Sequence, residues 1–192
     1  MHPIITISGP AGSGKSTIAK SLAEKLSAER IYVGGIRRQL AADMGMDLAQ
    51  LNEYALTHPE TDINVDESAA KKARALAEKN IVIAEGRTQF YFIPESIKLY
   101  IKVDPKEGAR RIWQDLQNEI NKNQRNEGRF NSLQEVEEYQ KIRQANDLAR
   151  YQQYYQLDHT DEKHYDFILD TSHITAQEAI DKTLQYLKKR LN

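Results

Sequence analysis

The chain has 192 residues, 40% of them apolar and 29% charged, with 27 Lys and Arg set against 28 Asp and Glu. That length suits one domain with a proper core, and a net charge of −1 leaves no footprint for general nucleic-acid or membrane binding. With no cysteine, disulfides, thiol nucleophiles and cysteine zinc sites are excluded, and no apolar run reaches the ~18 residues of a membrane span.

In chain order, Pro3 to Ser8 reads as a buried strand and Lys15 to Leu26 as a helix, with Ile18, Leu22 and Leu26 at i, i+4 and i+8. Arg30 to Val33 reads as a second strand. Ile36 to Lys79 is mostly helical, broken near Gly45 and near His58-Pro59. Ile81 to Ala84 is a third strand and Ile97 to Val103 a fourth. Asp104-Pro105 then opens a charged helix, with Asp at the cap, Pro at the first position and Glu107 three after the cap. The polar stretch Asn118 to Asn131 separates it from a helix over Ser132 to Leu157. Asp166 to Asp170 is a fifth strand, and Ala176 to Leu191 a closing helix. The five His (His2, His58, His159, His164, His173) form no pair at i, i+3 or i+4, so no metal-binding histidine is expected. The first residues carry no charged or apolar leader, so a cytoplasmic location is expected.

Five strands alternating with helices predict a parallel sheet covered on both faces, with ligands bound beyond the carboxyl ends of the strands. Directly after the first strand stands G-P-A-G-S-G-K-S, Gly9 to Ser16, which fits G-x-x-x-x-G-K-[ST] in its strand–loop–helix setting. Gly9, Gly12 and Gly14 let the backbone turn its N–H groups on a phosphate, and the helix N-terminus adds its dipole. Gly9, Pro10, Ala11, Gly12, Ser13, Gly14, Lys15, Ser16 and Thr17 are therefore expected to bind ATP. Lys15 should reach the β- and γ-phosphates, and the Ser16 hydroxyl should ligate Mg²⁺. The fold class is α/β, a three-layer P-loop NTPase fold with a helical lid. The residues argue against a GTPase switch: Asn121-Lys122-Asn123-Gln124 lacks the Asp of a guanine-reading segment, and no Asp-x-x-Gly follows the third strand.

A kinase must hold two clusters of negative charge close together, and Arg suits because its planar fork binds phosphate oxygens in pairs. Arg37-Arg38 follow Gly34-Gly35 after the second strand, with one of the two facing the cleft. Arg87, in A-E-G-R after the third strand, sits on the ligand edge, and Glu85 falls where an acid can hold Mg²⁺ through water. Arg143, Asp147 and Arg150 share a helix face at i, i+4 and i+7, with Asp147 orienting the guanidinium groups; Arg110 and Arg111 point at the same space. Lys15, Arg87, Arg143 and Arg150 are the expected catalytic cations. The polar stretch reads as a lid that expels water. No strong base is needed if the acceptor is itself a phosphate, whose second pKa is about 6.

These segments together resemble the short, archaeal-type cytidylate kinases of the nucleoside monophosphate kinase superfamily. I-T-I-S-G-P-A-G-S-G-K-S-T is close to that family's opening, and G-I-R-R-Q-L-A-A-D-M-G-M-D-L, Gly35 to Leu48, is similar to its acceptor helix. His58 to Asp62 with Asp66, I-V-I-A-E-G-R, and Arg143 with Ala149 to Tyr151, Tyr155, Leu157-Asp158 and Tyr165-Asp166 echo the rest. The resemblance implies transfer of the γ-phosphoryl of ATP, with Mg²⁺, to CMP or dCMP, and puts Arg38 on the acceptor phosphate. Four departures touch the base and sugar more than the phosphate: Gly35 where an acid is usual, Glu67-Ser68 for a basic pair, Thr88-Gln89-Phe90 for small apolar residues, and a longer lid. Asp62 and Asp66, at i and i+4, are candidates for the exocyclic amine of cytosine, or first-turn acids of their helix. Arg38, Asp62, Asp66, Arg87 and Asp147 form the expected acceptor site. Tyr151, Tyr154 and Tyr155 could stack on a base or pack the core.

The expected layout is a core of 1–34, 80–112 and 158–192, an acceptor segment over about 35–79 and a lid over about 113–157. The partners are small nucleotides, with no nucleic acid or membrane, and the chain a monomer. Rival readings are a kinase for another monophosphate, shikimate, gluconate or dephospho-coenzyme A, and a nucleotide-binding regulatory protein.

Overall fold

The computed structural model describes residues 1–118 and 130–191. Five strands, β1 (Ile4–Ser8), β2 (Glu29–Tyr32), β3 (Val82–Glu85), β4 (Ile97–Lys102) and β5 (Phe167–Asp170), form one parallel sheet in the order β2-β3-β1-β4-β5. The helices are α1 (Lys15–Leu26), α2 (Val33–Asp43), α3 (Leu48–Tyr54), α4 (Glu60–Ala77), α5 (Gln89–Phe92), α6 (Pro105–Leu116), α7 (Leu133–Tyr155) and α8 (Ala176–Leu191).

The central strand β1 is buried at all five positions, as its unbroken apolar run dictates for a strand covered on both faces. Its period of two then divides the core. Ile5 and Ile7 join Ile83, Leu99 and Ile101 under α1 and α8, while Ile4 joins Val82 and Ala84 under α4. The stripe Ala69, Ala70, Ala73 and Ala77 of α4 brings that helix close to the sheet. A third cluster, Ala109, Ile112, Leu116 and Val136, joins α6 to α7.

Ile7 pairs with Glu85, Tyr32 with Glu85, Ser8 with Tyr100 and Lys102 with Asp170. The carboxyl ends of all five strands thus finish on one edge, and the loops that leave them converge there. Asp104 caps α6 by accepting from the N–H groups of Lys106 and Glu107, with Pro105 in the first turn, and Ser132 caps α7.

Two differences from the sequence reading stand out, and one expectation falls outside the described residues. α2 starts at Val33, so Gly34 and Gly35 lie inside its first turn rather than before it. The one-turn α5 and a 3₁₀ turn at Glu162–His164 were not expected, since neither is long enough to show a period. Of the polar stretch read as a lid, residues 119–129 lie outside the described residues, and with them the string Asn121–Gln124.

Candidate functional site

The loop after β1 needs glycine at three positions. Gly9, Gly12 and Gly14 have φ of 147°, 77° and 82°. A Cβ on Gly9 would lie 2.2 Å from the Ile101 carbonyl oxygen, and one on Gly12 2.3 Å from that of Gly108. Gly14 is the left-handed N-cap of α1 with no side chain to cap it, which leaves the first N–H groups of α1 for an anion. Two anchors hold this loop from behind: Thr171, absent from the sequence reading, and Arg111, expected there only as a cation facing the cleft. Thr171, just past β5, donates to the Ser13 carbonyl at 3.0 Å. Arg111 donates to the Gly12 carbonyl at 3.4 Å and to Thr171 at 3.1 and 2.6 Å.

Lys15 is half-buried and donates to the Pro10 carbonyl at 3.1 Å. Burial, then the nearby Arg87, pushes its ammonium down to about 7, against the opposing pull of Glu85. Such a lysine loses its charge cheaply and recovers it beside a phosphate. Ser16 donates a short hydrogen bond to Glu85, whose other oxygen accepts from Arg30 Nε at 3.2 Å. The buried Glu85 is therefore balanced by Arg30, a partner that lies 55 residues away and left no local signal. The Ser16 hydroxyl and the Glu85 carboxylate are adjacent hard oxygen donors, the set that fits Mg²⁺ held by one or two protein oxygens and completed by phosphate and water.

One cleft of about 1340 Å³ runs from this loop to α2 and α4, and Lys15, Arg37, Arg38, Arg87, Arg110, Arg111 and Arg143 all line it. Both members of the Arg37-Arg38 pair face it, not one. Arg38 donates to the Tyr32 hydroxyl at 2.7 Å and to the Gly34 carbonyl at 3.0 Å. Arg37 reaches sideways to an ion pair with Asp62 and to Asn52 at 3.1 Å. Glycine at 34 and 35 makes room for Tyr32: a Cβ on Gly35 would sit 2.7 Å from its ring.

Arg150 is the main correction. The helix-face argument put it in the cleft beside Arg143 and Asp147. Those two do line the cleft, but Arg150 is 0% exposed and does not. Its Nε donates to Asp62 at 2.8 Å, its Nη2 to Asp147 at 2.6 Å and its Nη1 to the Asn52 carbonyl at 3.2 Å. Asp147 in turn pairs with Arg87. The result is an alternating ladder, Arg37–Asp62–Arg150–Asp147–Arg87, that ties α2, α4, α7 and the turn after β3 together. A charge this buried needs partners on every side, and the ladder supplies them.

The ladder also takes both oxygens of Asp62. Asp66 is engaged differently. Its Oδ2 accepts from Thr88 at 2.8 Å and Tyr155 at 3.2 Å, and its Oδ1 from Gln89 at 3.1 Å. Burial pushes this carboxyl up to about 6, and the charge of Asp62 adds to the shift while the Thr88 hydrogen bond opposes it. Thr88 and Gln89, which stand where the resemblance expects small apolar residues, are thus what hold Asp66. Asp62, Asp66 and Thr88 all line the cleft, whereas Glu67 and Ser68 are exposed on α4 and do not. Among the tyrosines, Tyr151 lines the cleft and Tyr154 donates to the Ala55 carbonyl.

Comparison with known proteins agrees with this geometry. A family model described as "AAA domain" matches residues 5–132. The cytidylate kinase of Archaeoglobus fulgidus is 34% identical over 182 residues, covering 94% of this chain and 92% of that protein. The S-adenosylmethionine-dependent nucleotide dehydratase of Lacinutrix mariniflava is 31% identical over 98% of this chain, which spans only 37% of that longer protein. Shikimate kinase from Acinetobacter baumannii superposes with a TM-score of 0.55 over 99% of this chain and 95% of its own, at 18% identity, a likeness of fold alone. Near full-length similarity on both sides, together with a glycine-built phosphate loop at the strand ends, places this chain in the cytidylate kinase family.

Proposed function

We propose that the protein transfers the γ-phosphoryl group of ATP to the phosphate of CMP or dCMP, giving ADP and CDP or dCDP. The observation that carries the proposal is a second cation cluster, Arg37, Arg38, Arg87 and Arg143, in the same cleft as Lys15. Holding a nucleotide alone does not call for it; holding two phosphate groups against each other does.

In this reading residues Gly9 to Thr17 cradle the donor's phosphates, with Lys15 on the β- and γ-groups. Arg38, steadied by Tyr32, holds the acceptor phosphate in the ground state. Arg87 and Arg143 lie between the two sites, where charge grows as the phosphoryl group moves. An acceptor phosphate oxygen attacks γ-phosphorus, the bond from γ-phosphorus to its bridging oxygen breaks, and ADP leaves with the electron pair. The acceptor arrives largely deprotonated, so no side-chain base is required. Ser16 and, through water, Glu85 would hold Mg²⁺, which would supply charge neutralisation at the donor phosphates. Asp147 and Arg150 position Arg87 and touch no substrate.

For the base, the same reading assigns Asp66 and Thr88. Asp66 Oδ1 accepts one bond from Gln89 and keeps a lone pair for a further donor, and the Thr88 hydroxyl, which gives its hydrogen to Asp66, keeps its own lone pairs. Acceptors suit the amine of cytosine and repel the carbonyl of uracil, and a mismatched edge leaves buried groups unpaired. Asp62, held between two arginines, sets the frame of this wall. Residues of about 35–79 form the acceptor segment and about 113–157 the lid, rooted on the body through Arg150. The same reading makes the protein a monomer acting on small nucleotides.

The test is an acceptor panel with saturating ATP and Mg²⁺: CMP, dCMP, UMP, AMP, GMP, dTMP, shikimate, gluconate and dephospho-coenzyme A, with products separated by ion exchange. CMP or dCMP should have the highest kcat/KM. A better hydroxyl acceptor would move the chain to a different kinase reaction, and no transfer to any acceptor would leave a nucleotide-binding regulator.

A further inference from the structure

Behind the phosphate loop lies a second cavity, of about 440 Å³, between the end of β4, the start of α6, the middle of α7 and the 158–162 turn. Its wall toward the cleft is the Arg87–Asp147 ion pair, since both residues line both spaces. Pro10 and Tyr100 give it an apolar side. Two side-chain nitrogens in it, Gln140 Nε2 and His159 Nδ1, are buried with no hydrogen-bond partner among the described residues. Orphaned buried polar atoms are uncommon in folded proteins and ask for a ligand or ordered water. His159 is 5% exposed, packs edge-on against Tyr151 with ring centroids 4.9 Å apart, and its neutral form is favoured by burial and then by the charge of Arg87.

The lining charges balance, with Arg87, Lys102, Lys106 and Lys141 against Asp104, Glu137, Asp147 and Glu162, and two of these pairs are already joined. A balanced rim, an apolar wall and a few converging hydrogen-bonding groups describe a site for a neutral ligand, not for an anion. We infer that this cavity is a regulatory site for a neutral planar heterocycle of nucleoside size, whose ring acceptor takes the Gln140 amide hydrogen while a further edge meets His159. A ligand seated there packs on the far side of the Arg87–Asp147 pair and shifts Arg87 from the place in the cleft that this pairing gives it. Turnover then falls without competition for the donor. This last step rests on the role given to Arg87 in transfer; the binding itself does not.

Binding of adenosine is measured by saturation-transfer NMR on the full chain, with a non-hydrolysable ATP analogue and Mg²⁺ filling the cleft, and inorganic phosphate is titrated as the charged control. The expected result is adenosine signal that survives the analogue, weakens roughly tenfold in Gln140→Leu, and is not displaced by inorganic phosphate. His159→Phe should behave alike, and because Gln140 is half-buried on a helix its variant keeps the test meaningful if the His159 variant fails to fold. In the kinetic arm, adenosine should lower kcat at saturating ATP in the parent chain and not in Gln140→Leu, which should keep its unliganded turnover. Loss of the adenosine signal on adding the analogue, or equal binding by parent and Gln140→Leu, overturns the site. Binding that leaves kcat unchanged overturns the regulatory role, and failure of transfer itself in the parent chain bears on the kinase assignment and not on the binding.

Discussion

Replacing Arg150 by methionine separates a buried strut from a catalytic cation. Methionine keeps much of the apolar bulk but deletes the donors to Asp62 at 2.8 Å, Asp147 at 2.6 Å and the Asn52 carbonyl at 3.2 Å. Asp62 keeps Arg37 and Asp147 keeps Arg87, so neither carboxylate is stranded outright. The cost should therefore sit at the low end of the range for removing one partner from a buried pair, about 3 kcal/mol. For a chain of this length that corresponds to a fall in Tm of about 6–12 °C. Thermal unfolding by circular dichroism and steady-state kinetics well below the transition should be run on the same preparation. The folded variant should show a raised KM for the acceptor, because the wall between α4 and α7 loosens, and a smaller change in kcat. A variant with parental Tm and a kcat lowered roughly a thousandfold would refute the argument and return Arg150 to the transferring phosphoryl group.

Lys15→Ala should leave the circular dichroism spectrum intact and cut turnover about a thousandfold or more; near-normal turnover would remove the phosphate loop from the chemistry. Since Lys15 titrates near 7 in the free protein, nucleotide binding at pH 8 should take up a proton, seen as a buffer-dependent heat in calorimetry and absent in Lys15→Ala. Arg38→Ala should raise the KM of the acceptor with little change in that of ATP, and a rise confined to ATP would mean the two sites are exchanged. Asp66 has its folded pKa raised from 3.8 to about 6, so the unfolded chain releases that proton first as pH rises. Its burial then costs stability progressively from pH 4 to 6 and fully above, about 3 kcal/mol in all. Asp66→Asn should gain stability relative to the parent as pH rises from 4 to 7; a constant difference in Tm would contradict the shift.

Much of this was legible in the residues. The strands, α1, the breaks at Gly45 and His58-Pro59, and the cap at Asp104 follow from local period and turn chemistry, which act over a few residues. The phosphate loop was legible because its glycines and lysine are consecutive. What escaped was long-range. Arg30 meets Glu85 across 55 residues, Arg111 meets Thr171 across 60, and Arg150 meets Asp62 across 88. Helical spacing puts Arg143, Asp147 and Arg150 on related faces but does not say which face meets solvent and which meets α4. The place of Gly34 and Gly35 inside α2, not ahead of a helix starting at Ile36, escaped for the same reason: the Tyr32 ring that needs the space is a packing fact. Only the C-terminal position of Thr171, just past a strand end, carried a signal that strand-edge reasoning could have used.

The central claim is transfer between two phosphates, and ³¹P NMR of the protein with ATP, CMP and Mg²⁺ follows it bond by bond. The account predicts that the γ- and β-phosphate resonances of ATP decline together while those of ADP and CDP grow in equal amounts, with no growth of inorganic phosphate. Inorganic phosphate appearing without CDP, or ATP unchanged over many hours, would contradict it.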